Sequence, residues 1–172
     1  MSEREPTQVN NLDRYGFPPL PWSRAQDALA SGSPSPAVTF FLGTVGPDAK
    51  PHAAGIGGLW QDGDLYFTSG LRMRKARDLA ADPTCTVSVR LEGIDLILEG
   101  SAARVTERPT LELIAGLFRD AGWPAEVAGD AFTAPFSAPS AGPPPWHVFR
   151  FTPRVVTGVA TAEPFGATRW TF

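Results

Sequence analysis

The sequence predicts a mainly β protein: an antiparallel barrel of about six strands with peripheral helices. Three observations lead to this fold class. Short apolar runs rich in β-forming residues alternate with turns that contain Gly, Pro and Asp. The first of these runs are joined by connections of hairpin length. In one longer segment, the apolar residues recur with the spacing of an α-helix. With 172 residues, 42% hydrophobic and 19% charged, the chain is expected to bury one core.

The N-terminal segment, residues 1–21, shows no hydrophobic periodicity and ends in a proline-rich stretch. We predict that it is a flexible arm that docks on a partner surface. The folded structure is expected to begin at Trp22, so that residues 22–172 form a single domain.

Two helices are predicted from their end signals. Ser23 and Gln26 have the spacing of a capping box, which indicates a short helix over 23–31. Pro109 opens a longer helix that ends at Gly122. Its apolar face, which we expect to pack on the sheet, is formed by Leu111, Ile114, Leu117 and Phe118.

The strands are predicted from residue alternation and from the turns between them. Residues 123–145 are expected to be mostly loop, and Gly100 to mark a bulge or a close approach of two backbones. In the clean alternation of 84–90, Cys85 falls on the apolar side and is expected to be an inert core thiol. The predicted strands are 37–45, 52–60, 65–69, 84–90, 94–105, 146–151 and 155–160.

Composition excludes several classes of function. With a net charge of -3 and a pI near 5.3, the chain lacks the excess of positive charge that is typical of proteins that bind a nucleic-acid backbone. The N-terminus is polar and no apolar stretch reaches the roughly 18 residues of a membrane span, so a cytoplasmic location without a membrane partner is expected. One cysteine and two histidines leave no basis for an internal disulfide, and no metal site is predicted.

A basic segment follows the strand at 65–69 and is the densest chemical feature. Four of the fifteen basic residues, Arg72, Arg74, Lys75 and Arg77, fall within six positions. Two hydroxyls, Thr68 and Ser69, stand just before them. Free N–H groups at a helix N-terminus, together with cationic side chains, bind phosphate oxygens, so a phosphorylated ligand is implied. The alternative is a solvated helix with Arg74 and Asp78 paired at i, i+4.

Two further groups of residues have two interpretations each. Gly57 and Gly58 lack the Cβ atoms that would keep a planar ring from the backbone, but they equally suit a bent strand at a barrel corner. His52 and His147 lie in predicted strands, where a hydrogen-bonded structural role is expected ahead of haem ligation.

Several motifs resemble the pyridoxamine 5'-phosphate oxidase-like split-barrel family. They are FLGTV (41–45) with PH (51–52), LYFT (65–68) after Trp60, KARDL (75–79) with DP (82–83), EGSA (99–102) and TRW (168–170). KARDL is the most specific of them. The last two are similar to the subgroup that includes flavin- and deazaflavin-dependent reductases. The resemblance covers nearly everything from Trp22 to the C-terminus.

The resemblance implies a homodimer of six-stranded split barrels of the FMN-binding type, with a flavin in each of two clefts at the interface. By position, the ligands of the cofactor's phosphate or tail are Thr68, Ser69, Arg72 and Lys75, with Arg74 and Arg77 as lesser candidates. Residues after the long loop and at the C-terminus are implied to approach the cofactor from the other subunit. Trp146, Arg169 and Trp170 are the candidates there, with Trp60 as a further ring that could stack.

The anion site and the resemblance together predict an oxidoreductase that binds FMN, or alternatively the deazaflavin F420. It would transfer hydride between that cofactor and a small organic substrate. No catalytic residue is assigned, because the cofactor carries the hydride chemistry. The open alternatives are a non-catalytic flavin-binding or storage protein, a haem-binding split barrel, and a ligand-free dimeric scaffold. Vitamin B6 oxidation is not expected, since the chain lacks that enzyme's C-terminal pattern and a second phosphate cluster.

Overall fold

The computed structural model describes residues 4–172 and confirms the mainly β class. None of the helices in this described part is long and apolar enough to cross a membrane. The helices are α1 (Trp22–Gly32), α2 (Arg74–Ala81) and α3 (Arg108–Asp120). The strands are β1 (Gln8–Asn11), β2 (Phe40–Val45), β3 (Pro51–Ile56), β4 (Leu59–Gln61), β5 (Asp64–Ser69), β6 (Thr84–Leu91), β7 (Ile94–Arg104), β8 (Glu126–Ala128), β9 (Ala131–Thr133), β10 (His147–Ala160) and β11 (Ala167–Thr171).

Nine of these strands form one antiparallel sheet. The hydrogen-bonded order is β1-β11-β10-β7-β6-β2-β3, and β5 pairs with β10 and carries β4 at its other edge. No ladder joins β3 to β4 in the described chain, although only Gly57 and Gly58 separate them along the backbone. The sheet is therefore not closed, and the predicted number of six strands is wrong.

Short elements account for the difference in strand number. The strand predicted over 52–60 is interrupted at Gly57 and becomes β3 and β4. β1 and β11 lie in segments where no strand was expected, and β8 and β9 form a separate hairpin within 123–145. All four residues of β1 are exposed. An exposed edge strand needs no apolar alternation, so a search for periodicity misses it.

The N-terminal arm lies on its own chain from residue 4 onward. β1 pairs with β11 so that Val9 is opposite Trp170. The Arg4 guanidinium lies 5.9 Å from the centre of the Phe172 ring and 3.3 Å from Asp64 Oδ1. Regular structure thus begins before Trp22, contrary to expectation. The predicted flexibility of the arm and its contact with a partner remain predictions.

Gly100 sits at the expected close approach of two backbones. It is opposite Pro153, where the ladder between β7 and β10 shifts its register. A Cβ atom at Gly100 would lie 2.1 Å from the carbonyl oxygen of Thr152. The bulge lies within one long strand, β10, instead of separating the two strands that were predicted.

Two hydrophobic clusters stabilise the fold. The larger one fills the space between the sheet and helices α1 and α2. The smaller one packs α3 against the other face of β4, β5 and β10, with Ile114 and Phe132 fully buried. Leu117, predicted to be part of the buried face of α3, is only partly buried. Cys85 is 4% exposed, and burial raises the pKa of its thiol to about 12, as expected of a core cysteine.

Candidate functional site

A cavity of about 500 Å³ opens beside the gap between β3 and β4, a volume within the range of small-molecule sites. One side, here the strand wall, is formed by 55–58 with the end of β5 and the start of α2. The other side, here the loop wall, is formed by the end of α3 and the loop that follows it. Residues 34–36 complete the rim. The strand wall is lined by residues 55–58, 68–70, 73 and 75. The loop wall is lined by residues 118, 121–123, 136–138, 140–141 and 146.

Lys75 is the one charged residue that lines this cavity among the residues described. Its side chain is half-buried, and burial lowers the pKa of its ammonium group with no acidic neighbour to oppose the shift. Burying a cation without a partner is costly. The strand wall therefore offers a cationic group that is free to pair with an anionic ligand.

The N-terminus of α2 adds backbone donors beside Lys75, which is the second residue of the helix. The N-cap residue, Met73, makes no side-chain cap hydrogen bond. The N–H groups of a helix's first turn have no acceptor within the helix and carry partial positive charge. Thr68 and Ser69 line the same wall, and the Ser69 hydroxyl donates to the Gly70 carbonyl oxygen at 3.1 Å. A lysine, hydroxyl groups and the N–H groups of a helix N-terminus are a typical set of phosphate ligands.

A buried hydrogen bond fixes α2 against the sheet. The Thr44 hydroxyl donates to Asp78 Oδ2 at 2.8 Å, and both residues are almost fully buried. Arg74 Nε lies 3.8 Å from the same oxygen, which is the i, i+4 pair that the sequence suggested. Asp78 thus anchors the helix whose first turn faces the cavity.

Gly57 and Gly58 have different surroundings, which separates their two interpretations. A Cβ atom at Gly57 would meet nothing within 4 Å, so its backbone is open to the cavity. A Cβ atom at Gly58 would lie 2.7 Å from Phe40 and 2.9 Å from Leu65. Gly58 is therefore required by core packing at the bend, whereas Gly57 leaves room for a ligand.

The loop wall is aromatic and is held in place by two indoles. The ring of Trp123 lies 5.2 Å from Phe118 and 5.8 Å from Trp146, centre to centre. The Trp123 N–H donates to the Phe136 carbonyl oxygen at 2.7 Å, and the Trp146 N–H donates to that of Gly142 at 3.3 Å. These two bonds hold the loop at both ends.

The predicted cofactor residues divide into those inside and those outside the cavity. The exposed residues Arg72, Arg74 and Arg77 surround the start of α2 without lining the cavity. The predicted residues that line it are Gly57, Gly58, Thr68, Ser69, Lys75 and Trp146.

The C-terminal candidates lie away from this chain's cavity. Trp170 has 0% exposure and packs against Trp22 at 5.3 Å, so in this conformation its ring presents no surface to a ligand. Its assignment to the cofactor is corrected, because pairing of β11 with β10 turns this side chain into the core. Arg169 is exposed and lies 3.4 Å from Glu99 Oε2, so it is not the buried arginine that would need a ligand. Trp60 is a core residue.

Neither histidine lines the cavity. His52 is partly buried on β3. His147 is buried, and burial followed by the charge of Arg104 lowers its pKa. Residues 4–172 contain no group of three or more His, Cys, Asp or Glu placed to hold a metal ion.

Sequence reasoning missed most of the loop wall. Phe118 was identified only as a core residue, and Trp123 and Phe136 were not singled out. The available signal was length: 123–145 exceeds the usual connection within a compact domain, and such loops commonly carry function.

A mainly β fold with one cavity wall that carries a cation and one that is aromatic is typical of proteins that bind small molecules. The chain belongs to the pyridoxamine 5'-phosphate oxidase family, whose family model matches residues 34–160. Among curated proteins, none matches the sequence.

Solved structures share the fold at low sequence identity. A pyridoxamine 5'-phosphate oxidase-related, FMN binding protein from Nostoc punctiforme PCC 73102 is 17% identical, with 86% of this chain and 88% of that chain covered and a TM-score of 0.56. An F420 reductase is 20% identical, with 84% and 98% covered and a TM-score of 0.53. PhzG from Burkholderia lata 383, in complex with tetrahydrophenazine-1-carboxylic acid, is 15% identical, with 86% and 82% covered and a TM-score of 0.56.

Proposed function

We propose that this chain binds FMN in the cavity and acts as an oxidoreductase that transfers hydride between the flavin and a small organic substrate. F420 is the alternative cofactor. The observation that carries the proposal is Lys75, a half-buried ammonium group with no acidic partner at the uncapped start of α2. Family membership supports it, as do the FMN binding protein and the F420 reductase among the similar folds.

The lining residues fit a phosphorylated flavin. Lys75, the Thr68 hydroxyl and the first-turn N–H groups of α2 would hold the phosphate. The Ser69 hydroxyl would join them by turning its hydrogen away from the Gly70 carbonyl oxygen. Gly57 would let the ring approach the backbone, because it has no Cβ and no heavy atom lies within 4 Å of the position that a Cβ would take. Arg72, Arg74 and Arg77 lie outside the cavity, where they could bind an anionic tail such as that of F420.

A bound flavin would supply the hydride chemistry. This chain's own contribution is to bind and orient the cofactor through the strand wall and to exclude water with the loop wall. No histidine, cysteine or carboxylate among the described residues lines the cavity, so none is proposed as a proton donor.

A homodimer is part of the proposal. Phe41 and Ile97 are each 52% exposed, and they share the outer face of the sheet because both are opposite Ser88 on neighbouring ladders. Large apolar side chains grouped on one exposed face favour association. A cytoplasmic location is also part of the proposal.

The test is a titration of the purified protein with FMN, F420 and riboflavin, combined with its mass in solution. We expect Lys75→Gln to weaken FMN binding by about 10- to 150-fold, the equivalent of one charged hydrogen bond, and to leave riboflavin binding nearly unchanged. Arg108→Gln is the matched control, since it removes an exposed positive charge whose partner, Glu112, lies in the same helix. Equal losses for FMN and riboflavin would contradict the phosphate assignment.

A second measurement separates an enzyme from a flavin-binding or storage protein. The loaded protein is mixed with NAD(P)H or reduced F420 and with an electron acceptor, and steady-state turnover is followed. Turnover supports the oxidoreductase. Tight binding without turnover for any reductant and acceptor pair would leave the storage function.

A further inference from the structure

We propose that the loop wall is a recess for a second ligand, an uncharged and planar apolar molecule with a carbonyl or amide group. The recess is formed by Phe118, Trp123, Phe136 and Trp146 together with the loop 137–141. The inference rests on the proposed function in one respect: it assigns the cationic end of the cavity to the cofactor's phosphate.

The charge distribution along the cavity indicates that the ligand of the recess is uncharged. The loop wall contributes aromatic rings, small apolar residues and serines, and no ionisable side chain. The single lining charge, Lys75, belongs to the opposite wall. An ionic ligand would therefore lose its hydration in the recess without gaining a counter-charge, which is costly. The negative faces of aromatic rings disfavour an anion further.

The hydrogen-bonding groups of the recess indicate which polar group the ligand has. Both indole N–H groups donate to backbone carbonyls of the loop, so the two tryptophans offer ring surface to a ligand. Ser137 and Ser140 line the cavity, and their hydroxyls have no side-chain hydrogen bond in the described chain. These two hydroxyls can form one or two hydrogen bonds with a carbonyl or amide group of the ligand. The rest of the contact would be made by a flat apolar ring of the ligand.

The recess is formed within a single chain. The two indole bonds hold the ends of the loop, and Met73 of the strand wall reaches Gly142, where a Cβ would lie 3.2 Å from Met73 Cε. Trp123 also packs edge to face on Phe118 of α3. Such preorganisation lowers the entropic cost of binding.

The test compares two probes with the same ring system: 2-naphthamide, which is uncharged, and 2-naphthoate, which is anionic. Calorimetry on FMN-loaded protein is expected to show at least about tenfold tighter binding of 2-naphthamide, without release of FMN. Displacement of FMN by 2-naphthamide would show that the recess is part of the flavin's own site. That result, equal or tighter binding of 2-naphthoate, or no binding of 2-naphthamide would overturn the proposal.

A variant pair locates the binding site. Phe136→Ala removes an exposed ring of the recess and is expected to weaken 2-naphthamide by at least about fivefold, a larger loss than any loss of FMN affinity. Phe165→Ala removes an exposed ring outside the cavity and is expected to change neither. Equal effects of the two variants would also overturn the proposal.

Failure of the cofactor proposal can be told apart from failure of the recess. The same probes are titrated into Lys75→Gln without FMN, where no cation remains in the cavity. Preference for 2-naphthamide there supports the recess whether or not the unaltered chain binds FMN. Loss of that preference would overturn the recess alone.

Discussion

The two walls of the cavity are stabilised in different ways. The strand wall is part of the main sheet and α2, which ladder hydrogen bonds and the Thr44–Asp78 bond hold in place. The loop wall has few ladder bonds and depends on two indole N–H groups and on the smaller hydrophobic cluster. The groups proposed to bind a phosphate thus lie on regular structure, and the surface proposed for an apolar ligand is held by side-chain packing.

Because of this difference, specificity for the cofactor and specificity for the second ligand should depend on different parts of the chain. A change in the loop wall can alter the shape of the recess while Lys75 and the first turn of α2 stay in place. A change at the anchors of α2 should act first on the cofactor. Substitutions under each wall test whether the walls are independent in this sense.

The largest effect is expected under the loop wall. Ile114 is fully buried in the smaller cluster, and Ile114→Ala should lower the free energy of unfolding by about 2–5 kcal/mol. Leu113→Ala, its neighbour on α3 with 51% exposure, should cost less than about 0.5 kcal/mol. Urea denaturation measures both. A loss at Ile114 no larger than that at Leu113 would show that the loop wall does not depend on this cluster.

A smaller effect is expected at the anchor of α2. Thr44→Val removes the donor to Asp78 and leaves a buried carboxylate oxygen without that hydrogen bond, at a cost of about 1.5–3 kcal/mol. FMN binding should weaken as well, because the helix carrying Lys75 loses its tether. Thr86→Val, on the exposed face of β6, is the matched control. Unchanged stability and unchanged FMN affinity in Thr44→Val would refute the role of this bond.

The paired glycines give the sharpest test within the strand wall. Gly58→Ala places a methyl group against Phe40 and Leu65 and should cost about 1–3 kcal/mol of stability. Gly57→Ala has open space and should leave stability within about 0.5 kcal/mol while weakening FMN. Thermal unfolding and cofactor titration of both variants check this. The same response from both would contradict this division of roles between the two glycines.

The strand wall could be predicted from the sequence because its signals are local. Thr68, Ser69 and Lys75 lie within a strand end and the helix that follows, and their residue types alone indicate an anion site. The glycine pair was identified too, but the division of its roles required the positions of Phe40 and Leu65, which are distant in sequence.

The loop wall and the C-terminal strand could not be predicted in the same way. Trp123 and Trp146 meet only because the loop between them folds back, and no period in the sequence encodes that contact. Trp170 was assigned to a ligand because its motif resembles the family's. Its burial follows from the pairing of β11 with β10, where Gly158 provides the space: a Cβ there would lie 2.8 Å from the Trp170 ring.

The smallest expected effect is a pH dependence at the base of the loop wall. His147 follows Trp146 directly, and its buried Nδ1 has no hydrogen-bond partner in the described structure. Burial and Arg104 lower the pKa of His147 below 6.5, against the opposing effect of Asp130, whose Oδ1 lies 3.9 Å from Nδ1. As the pH falls below 6.5, the unfolded chain takes up a proton that the folded chain does not, so stability is lost in this range. His147→Gln should flatten the dependence of the unfolding free energy on pH, measured by urea denaturation across this range. If the unfolding free energy of the variant depended on pH with the same slope, the group that titrates in this range would not be His147.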